Sequence, residues 1–297
     1  MRRGHLVLMV VGVTAVSFSS VLVRLADAPA FAVAFYRCAF AAVILIPLGL
    51  LRSRAEYASL SPGRWRLAIL TGLALGAHFA TWIPSLSFTT VAASAVLVQT
   101  QPLWVALFGR FIGEPPTRKA LVGIGIALGG TLVISGGGFS GGGRALFGDL
   151  LALAGAVFAA IYVLAGRSLR RELSVVPYTS IVYTVAALAL GAVMAVSGTP
   201  FFGYPPETWG VFALITVGPQ FLGHTVFNFL LGHVRASVVA VALLAEPVGA
   251  TILAFAILGE APGSTTVIGG AVILLGVYVA IRAESGRSPE LLAQPVE

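Results

Sequence analysis

The sequence predicts an all-α, polytopic membrane protein: ten transmembrane helices arranged as two inverted five-helix repeats. Three observations predict it. Of 297 residues, 58% are hydrophobic and only 10% are charged, with a mean hydropathy of +0.98; a soluble globule carries roughly 25% charged residues. The apolar residues fall into ten runs, each long enough for a bilayer core, which takes about 20 residues of helix. The two halves of the chain also carry the same landmarks at a near-constant offset.

The runs lie near 5–25, 31–51, 65–86, 91–112, 118–136, 146–166, 175–197, 208–231, 235–258 and 264–282. Lipid offers no partners for open backbone groups, so each run should be helical. None shows the two-residue alternation of a membrane barrel. The first run follows Arg2-Arg3 and leads to Ala26-Asp27-Ala28, which imitates a secretory signal with a small-residue cleavage site. Its apolar part is longer than a typical signal core, and Pro29 falls just past the cut, so it is read as a retained helix. The second run holds Arg37 and Cys38. A single cysteine excludes an intramolecular disulfide and a Cys-based metal site, and Cys38 reads as a small packing residue.

The ninth run, with its end at Glu260, organises the rest. Ser237–Glu260 has one charged side chain before its end, Glu246, and Pro247 follows it. A carboxylate at mid-span costs roughly 2.5–3.5 kcal/mol on insertion scales, so it normally faces a bundle interior or a wet cavity. Pro247 removes a backbone donor and clashes with the carbonyl of Leu243, which favours a kink. Broken helices carrying a buried acid at mid-depth are where transporters hold substrate or a coupling ion. The alternative is a structural carboxyl bonded to a neighbouring helix.

Orientation follows from Lys and Arg. With the N-terminus in the cytoplasm, 15 of the 18 basic residues fall on the cytoplasmic side, Arg24 and Arg144 fall outside, and Arg37 lies within the second run. Ten crossings then place both termini in the cytoplasm, in a multi-pass protein of the cell's inner membrane. The net charge of +7 is therefore topological; the basic residues sit in short loops and form no nucleic-acid-binding stripe. Gly136–Gly143 marks an outer loop and joint. The expected organisation is a first repeat over 1–135, a glycine-rich loop over 136–145, a second repeat over 146–283 and a disordered cytoplasmic tail over 284–297.

The repeat is legible residue by residue. Ala93-Ser94 opens a run containing Gln101-Pro102 and closing on Gly113-Glu114-Pro115. Ala236-Ser237 opens one containing Glu246-Pro247 and closing on Gly259-Glu260-Ala261-Pro262. Trp65 and Trp209 open the third and eighth runs, and the offsets span 143 to 146 residues. Five crossings is an odd number, so the copies enter the membrane from opposite sides. Glu114 and Glu260 then lie at opposite faces. Inverted repeats of this kind belong to alternating-access transporters with a midplane site.

On these residues, with Arg37 early in the second run, the chain resembles the drug/metabolite transporter superfamily in its ten-helix EamA-type branch. The resemblance covers about residues 5 to 282. It implies a pseudosymmetric basket of helices around a central cavity, and export of small metabolites such as amino acids, amines or drugs. The sequence departs from a symmetric site in one respect: the mate of Glu246 is Gln101.

The candidate cavity residues are Glu246, His78, His224, Arg37, Trp82, Gln101, Tyr162 and Asn228. His78 and His224 are offset by 146 residues within apolar runs. Each is either a proton carrier, since imidazole changes charge between about pH 5 and 8, or a neutral histidine bonded to a neighbouring helix. Arg37 lies about 9 Å into its helix, either facing an outer vestibule and an acidic group or snorkelling to the headgroups. Thr14, Ser17, Gln99, Trp104, Tyr183 and Gln220 are further polar or aromatic groups inside runs, most of the hydroxyls serving as interhelical glue. Tyr162 and Trp82, at mid-run, are the better cavity candidates; Trp65 and Trp209 fit an aromatic belt. Pro84 and Pro219 are expected to bend their helices. Glu114 and Glu260 either close a gate on a cation or are solvated; the solvated reading is preferred, because exposed charges contribute little.

Three function classes compete. A secondary transporter fits best, since no GxxxxGK[ST] phosphate loop is present for ATP drive. An intramembrane enzyme finds neither HExxH nor GxSxG. A lipid flippase would favour a lateral opening and few polar lining groups. The expected partners are a small-molecule substrate, a proton or counter-substrate, and the lipid bilayer. No cofactor, metal or nucleic acid is expected, and the pattern carries no signature of an oligomeric state.

Overall fold

The computed structural model describes residues 3–85, 87–89, 91–135, 142–258 and 261–285. No strand occurs among them. The helices, in order, are α1 (Arg3–Leu25), α2 (Ala30–Arg52), the short α3 (Arg54–Ser59), α4 (Pro62–Ser85), α5 (Val91–Val98), α6 (Gln101–Gly109) with a 3₁₀ turn at Arg110–Ile112, α7 (Arg118–Ser135), α8 (Gly143–Leu169), α9 (Val175–Ser197), α10 (Pro206–Ile215), a π-helical segment (Thr216–Thr225), α11 (Val226–Leu231), α12 (Ala236–Leu243), α13 (Glu246–Leu258) and α14 (Ser264–Ser285). Eight stretches are long and apolar enough to cross a membrane, with a shorter apolar helix at Val96–Ile112. Leu51, Val43, Leu188 and Val196 are among the exposed large apolar residues. So much exposed hydrocarbon is a liability in water and a fit to lipid. The chain is a multi-pass membrane protein.

The helices pack in matched pairs. α4 lies along α8, and the π segment with α11 lies along α1; α5 and α6 pack on α8, and α12 and α13 on α1. α2 packs against α9, α6 against α12, and α7 against α14. Exchanging each run of one half for its mate in the other leaves this set of contacts unchanged.

Three stretches depart from a continuous α-helix. The turn at 99–100 separates α5 from α6, and the turn at 244–245 separates α12 from α13. Gln101 and Glu246 each begin the second half-helix, with Pro102 and Pro247 behind them. Proline is tolerated there because first-turn N–H groups have no intrahelical acceptor. The stretch 91–112 is thus two short helices rather than one continuous span. The third departure is the π segment around Pro219, which has no N–H to give and crowds the carbonyl one turn back. Within it, Thr225 Oγ1 donates to the Gln220 carbonyl at 3.1 Å.

One expectation is corrected here. Glu284, assigned to a disordered tail, is a helical residue of α14 and only 4% exposed. Its carboxylate accepts from the Thr117 N–H at 2.9 Å and pairs with Arg235 at 3.0 Å, so the ordered helix extends to reach them. Trp209, expected in an aromatic belt, lies in an aromatic cluster. It packs with Tyr36, Phe40, Tyr204 and Phe212, and the Tyr36 hydroxyl donates to the Phe201 carbonyl. The joint at 136–141, Glu260 and the tail from 286 lie outside the described residues.

The α7–α14 seam shows why small residues recur. A Cβ on Gly276 would lie 2.4 Å from the Ala127 nitrogen, and one on Gly123 2.6 Å from the Ala280 nitrogen. Cβ atoms on Gly130 and Gly269 would each meet the other's carbonyl oxygen at 2.6 Å. Backbones in contact gain dispersion that lipid cannot supply between helices. We expect Gly276→Val to destabilise the detergent-solubilised protein by roughly 1–3 kcal/mol through overpacking. Gly129→Ala, on α7 with nothing within 4 Å of its Cβ, should be neutral or stabilising. Thermal unfolding of both variants measures the contrast.

Candidate functional site

Arg37 stands at the centre of the interior. It is 2% exposed, so it does not snorkel. Its Nε donates to Gln220 Oε1 at 2.8 Å, and its guanidinium carbon lies 4.6 Å from the centroid of the Phe79 ring. The π segment presents Gln220 and α4 presents Phe79, so one cation joins three runs of the bundle. The His224 ring also meets Phe79, at 5.9 Å and near a right angle. An aromatic face attracts a cation through its quadrupole, more so where water is excluded. Neither Arg37 Nη2 nor Gln220 Nε2 has a hydrogen-bond partner.

His78 Nδ1 is bonded to the Gly155 carbonyl of α8 at 2.9 Å, and its ring stacks on Trp82 at 5.7 Å. This is the bonded-histidine alternative. As donor on Nδ1, the neutral ring leaves Nε2 as an acceptor. Gly155 permits the approach, since a Cβ there would meet the Trp82 Cβ at 2.9 Å. Trp82 Nε1 is buried with no partner. Glu246 starts α13, and its backbone carbonyl accepts from Ser17 Oγ at 3.2 Å. No hydrogen bond or ion pair to its carboxylate occurs among the described residues. Arg37 lies within electrostatic reach of Glu246, His78 and His224. Gln101 is half-buried at the matching position of the first half.

Tyr162 and Asn228 sit elsewhere in the same interior, inside a saturated network. The Tyr162 hydroxyl donates to Asn228 Oδ1 at 2.8 Å, Asn228 Nδ2 donates to the Tyr183 hydroxyl at 3.1 Å, and that hydroxyl meets Thr225 Oγ1 at 3.0 Å. Both residues are buried. Their polar atoms are engaged with the chain, which suits positioning of α11 better than direct contact with a ligand.

The network continues to the end of the bundle expected to face the cytoplasm. Arg170 Nε donates to the Asn228 carbonyl at 2.9 Å and Arg167 Nη1 to the Leu231 carbonyl at 2.6 Å. Burial lowers the Arg170 pKa from the ordinary arginine value, opposed by Tyr178 and Glu56. Glu114 is 6% exposed. It accepts from Arg167 Nε at 2.8 Å, Arg171 Nη2 at 2.9 Å and the Ala236 N–H at 3.2 Å. The preference for a solvated Glu114 is therefore overturned: a carboxylate this buried persists only with cations and N–H groups around it. Arg235 Nη2 reaches the Pro115 carbonyl at 2.7 Å, tying the two halves together once more.

Two partners escaped the site residues chosen from sequence. Gln220 was only one of several polar groups in an apolar run; its place after Pro219 was the available signal. Phe79 had none, because its role comes from the groups that pack against its ring.

Removing one side of a buried ion pair strands the other. Glu114→Ala should therefore destabilise the protein by roughly 3–5 kcal/mol. Combining it with Arg167→Met should recover part of that loss. A double-mutant cycle on thermal unfolding in detergent reads the coupling; strict additivity would show that the pair does not act as one.

With this geometry in hand, similarity to known proteins can be placed. The profile of the EamA-like transporter family matches twice, at residues 3–136 and 146–282. An uncharacterized transporter of Archaeoglobus fulgidus is 26% identical over 274 residues, covering 89% of this chain and 91% of its own. A second uncharacterized transporter of that organism is 26% identical over 206 residues, covering 66% and 69%. A solved crystal structure, 21% identical, superposes on 97% of this chain and 100% of its own with a TM-score of 0.81, a similarity of fold. The chain belongs to the EamA-like transporter family.

Proposed function

We propose that this transporter is a secondary carrier that exports a small organic metabolite, an amino acid, amine or drug-like molecule, across the cytoplasmic membrane by alternating access. One observation carries the reading. Arg37, His78 and His224 all pack against the Phe79 ring, Gln220 bonds Arg37, and the Glu246 carboxylate has no ionic partner among the described residues. Ionisable groups kept inside a bundle without full pairing mark substrate or ion paths. The matched packing of the two halves and the two family matches support ten crossings in inverted repeats; the loop charge puts both termini in the cytoplasm, and the joint expected over 136–145 gives way to helix from Gly143. The energy source is a proton gradient, a counter-substrate or the substrate gradient itself. Glu246 is the first choice of proton carrier, with His78 and His224 next.

Lipid translocation is the second reading. An apolar crevice of about 250 Å³, lined by Leu8, Val175, Thr225, Val226 and Phe229, favours it. The polar interior around Arg37 opposes it, because acyl chains gain nothing from buried donors.

A counterflow screen in proteoliposomes tests the class of activity: a small polar metabolite should exchange, and phospholipid should not move. Glu246→Gln should abolish flux driven by a pH gradient while leaving the protein folded and monodisperse. Undiminished pH-driven flux in that variant would remove Glu246 from the proton path.

A further inference from the structure

The crevice lined by Leu8, Val175, Thr225, Val226 and Phe229 ends in a pair of histidines. On α1, His5 stands three residues before Leu8. On α11 and the turn that continues it, Val226, Phe229 and His233 follow at spacings of three and four. Helical residues so spaced share a face. Both walls therefore run into a histidine, and the two imidazole rings meet at 5.2 Å. The His233 ring also lies 4.4 Å from that of Phe229, and its Nδ1 is bonded to the Phe229 carbonyl at 2.9 Å. Val175 opens α9 at the same end of the bundle. The crevice is an apolar slot with an imidazole rim.

What fills such a slot follows from its walls and its surroundings. Thr225, the polar side chain of the lining, has its hydroxyl bonded to the Gln220 carbonyl and to Tyr183. An apolar space of about 150 Å³ stays dry and takes an apolar guest; this one measures about 250 Å³. Beside it on α1, Leu6, Val7 and Val10 are exposed. That flank of α1 meets hydrocarbon, so the guest at hand is an acyl chain. The rim, by contrast, is electropositive. Arg3 is exposed one turn before Val7 and makes no ion pair among the described residues. Arg170 stands behind the turn that carries His233: a Cβ on Gly232 would lie 2.9 Å from its Nη2. Its own bonds are to the neutral carbonyls of Asn228 and Leu173. The acids of this end are engaged elsewhere, Glu114 by Arg167 and Arg171, Glu284 by Arg235, Glu172 by Arg64 and Glu56 by Ser174. No carboxylate is bonded to Arg3 or Arg170 among the described residues.

We infer that this crevice is a binding site for one anionic phospholipid, with an acyl chain between α1, α9 and α11 and the phosphate over His5, His233 and Arg3. The site belongs to the leaflet at the N-terminal end of α1, the one that the loop charge makes cytoplasmic. Basic pockets between membrane helices on that side favour anionic headgroups. The lipid is a resident ligand and not the cargo, since its headgroup stays at the rim where the cations are. It also touches both halves of the chain, α1 from the first and α9 and α11 from the second, so its presence strengthens the packing between them. The inference rests on the membrane setting of the fold and is independent of which solute the carrier exports.

The test uses the full-length protein purified in detergent and titrated with dioleoyl phosphatidylglycerol or dioleoyl phosphatidylcholine. Native mass spectrometry reads the retained lipid, and thermal unfolding reads its effect on packing. The wild type should retain the anionic lipid at about fivefold lower concentration than the zwitterionic one, the preference that one basic residue near the surface confers, and should melt higher with it. Leu8→Trp fills the crevice and should lose most of the retained lipid. Val7→Trp, at a position 63% exposed on the same helix, should keep it. Arg3→Gln combined with His233→Gln leaves the crevice open and should bring the two lipids level; this variant decides the matter if Leu8→Trp does not fold. Equal retention of both lipids by the wild type would overturn the inference. So would full retention by folded Leu8→Trp, or an undiminished anionic preference in the double variant. Glycerophosphate and inorganic phosphate form a separate arm: they should leave the lipid bound, and its displacement by either would make the rim a site for phosphate alone. In proteoliposomes, labelled phosphatidylglycerol should stay in its leaflet; its transfer to the other would make the crevice a translocation path and overturn the resident site.

Discussion

A guanidinium in a hydrocarbon-clad interior is the constraint on which the rest of this structure depends. An uncompensated charge there is costly enough that it survives only with hydrogen bonds, an aromatic face or an opposite charge close by. The chain supplies Arg37 with the first two, through Gln220 and Phe79. Each comes from a different run, so holding the cation also holds α2, α4 and the π segment in register. Bonds to an ionised group contribute roughly 1.5–3 kcal/mol, more than a neutral pair, which makes Arg37 an organiser as well as a candidate ligand.

The same requirement explains the irregular backbone. A carbonyl or N–H leaves a helix in lipid only where protein or a wet interior replaces the lost partner. Three departures from α geometry bear polar groups of the interior: the turn before Gln101, the turn before Glu246, and the π segment that carries Gln220. From Gln220 a chain of bonds runs through Thr225, Tyr183 and Asn228 to Arg170, with Arg167 and Glu114 beside it. The π segment and α11 are therefore clamped at both ends, by Arg37 in the centre and by two arginines at the bundle end.

Much of this was legible in the sequence, for physical reasons. Hydropathy and loop charge give the spans because lipid permits little else. The landmark offsets give the repeat, and Pro102 and Pro247 give the breaks within a residue or two, because proline acts locally. What escaped was set by distant partners. Glu114 ends an apolar run and looks like a surface acid; only the folded chain brings Arg167 and Arg171 to it. Glu284 sits among polar tail residues, yet it caps Thr117 and pairs with Arg235. Tyr162 and Asn228 were chosen as separate cavity groups, and their bond to each other follows from the packing of α8 on α11. The direction in which a helical side chain points, with such a weak polar pattern around it, is a tertiary fact.

The most direct measurement is an experimental map of the protein in a lipid nanodisc, at a resolution that shows ordered solvent and small ligands. The account predicts Arg37 held by Gln220 and the Phe79 ring, with no acid of the chain against its Nη2. An oxygen of the chain itself in that position, the Glu246 carboxylate above all, would contradict it.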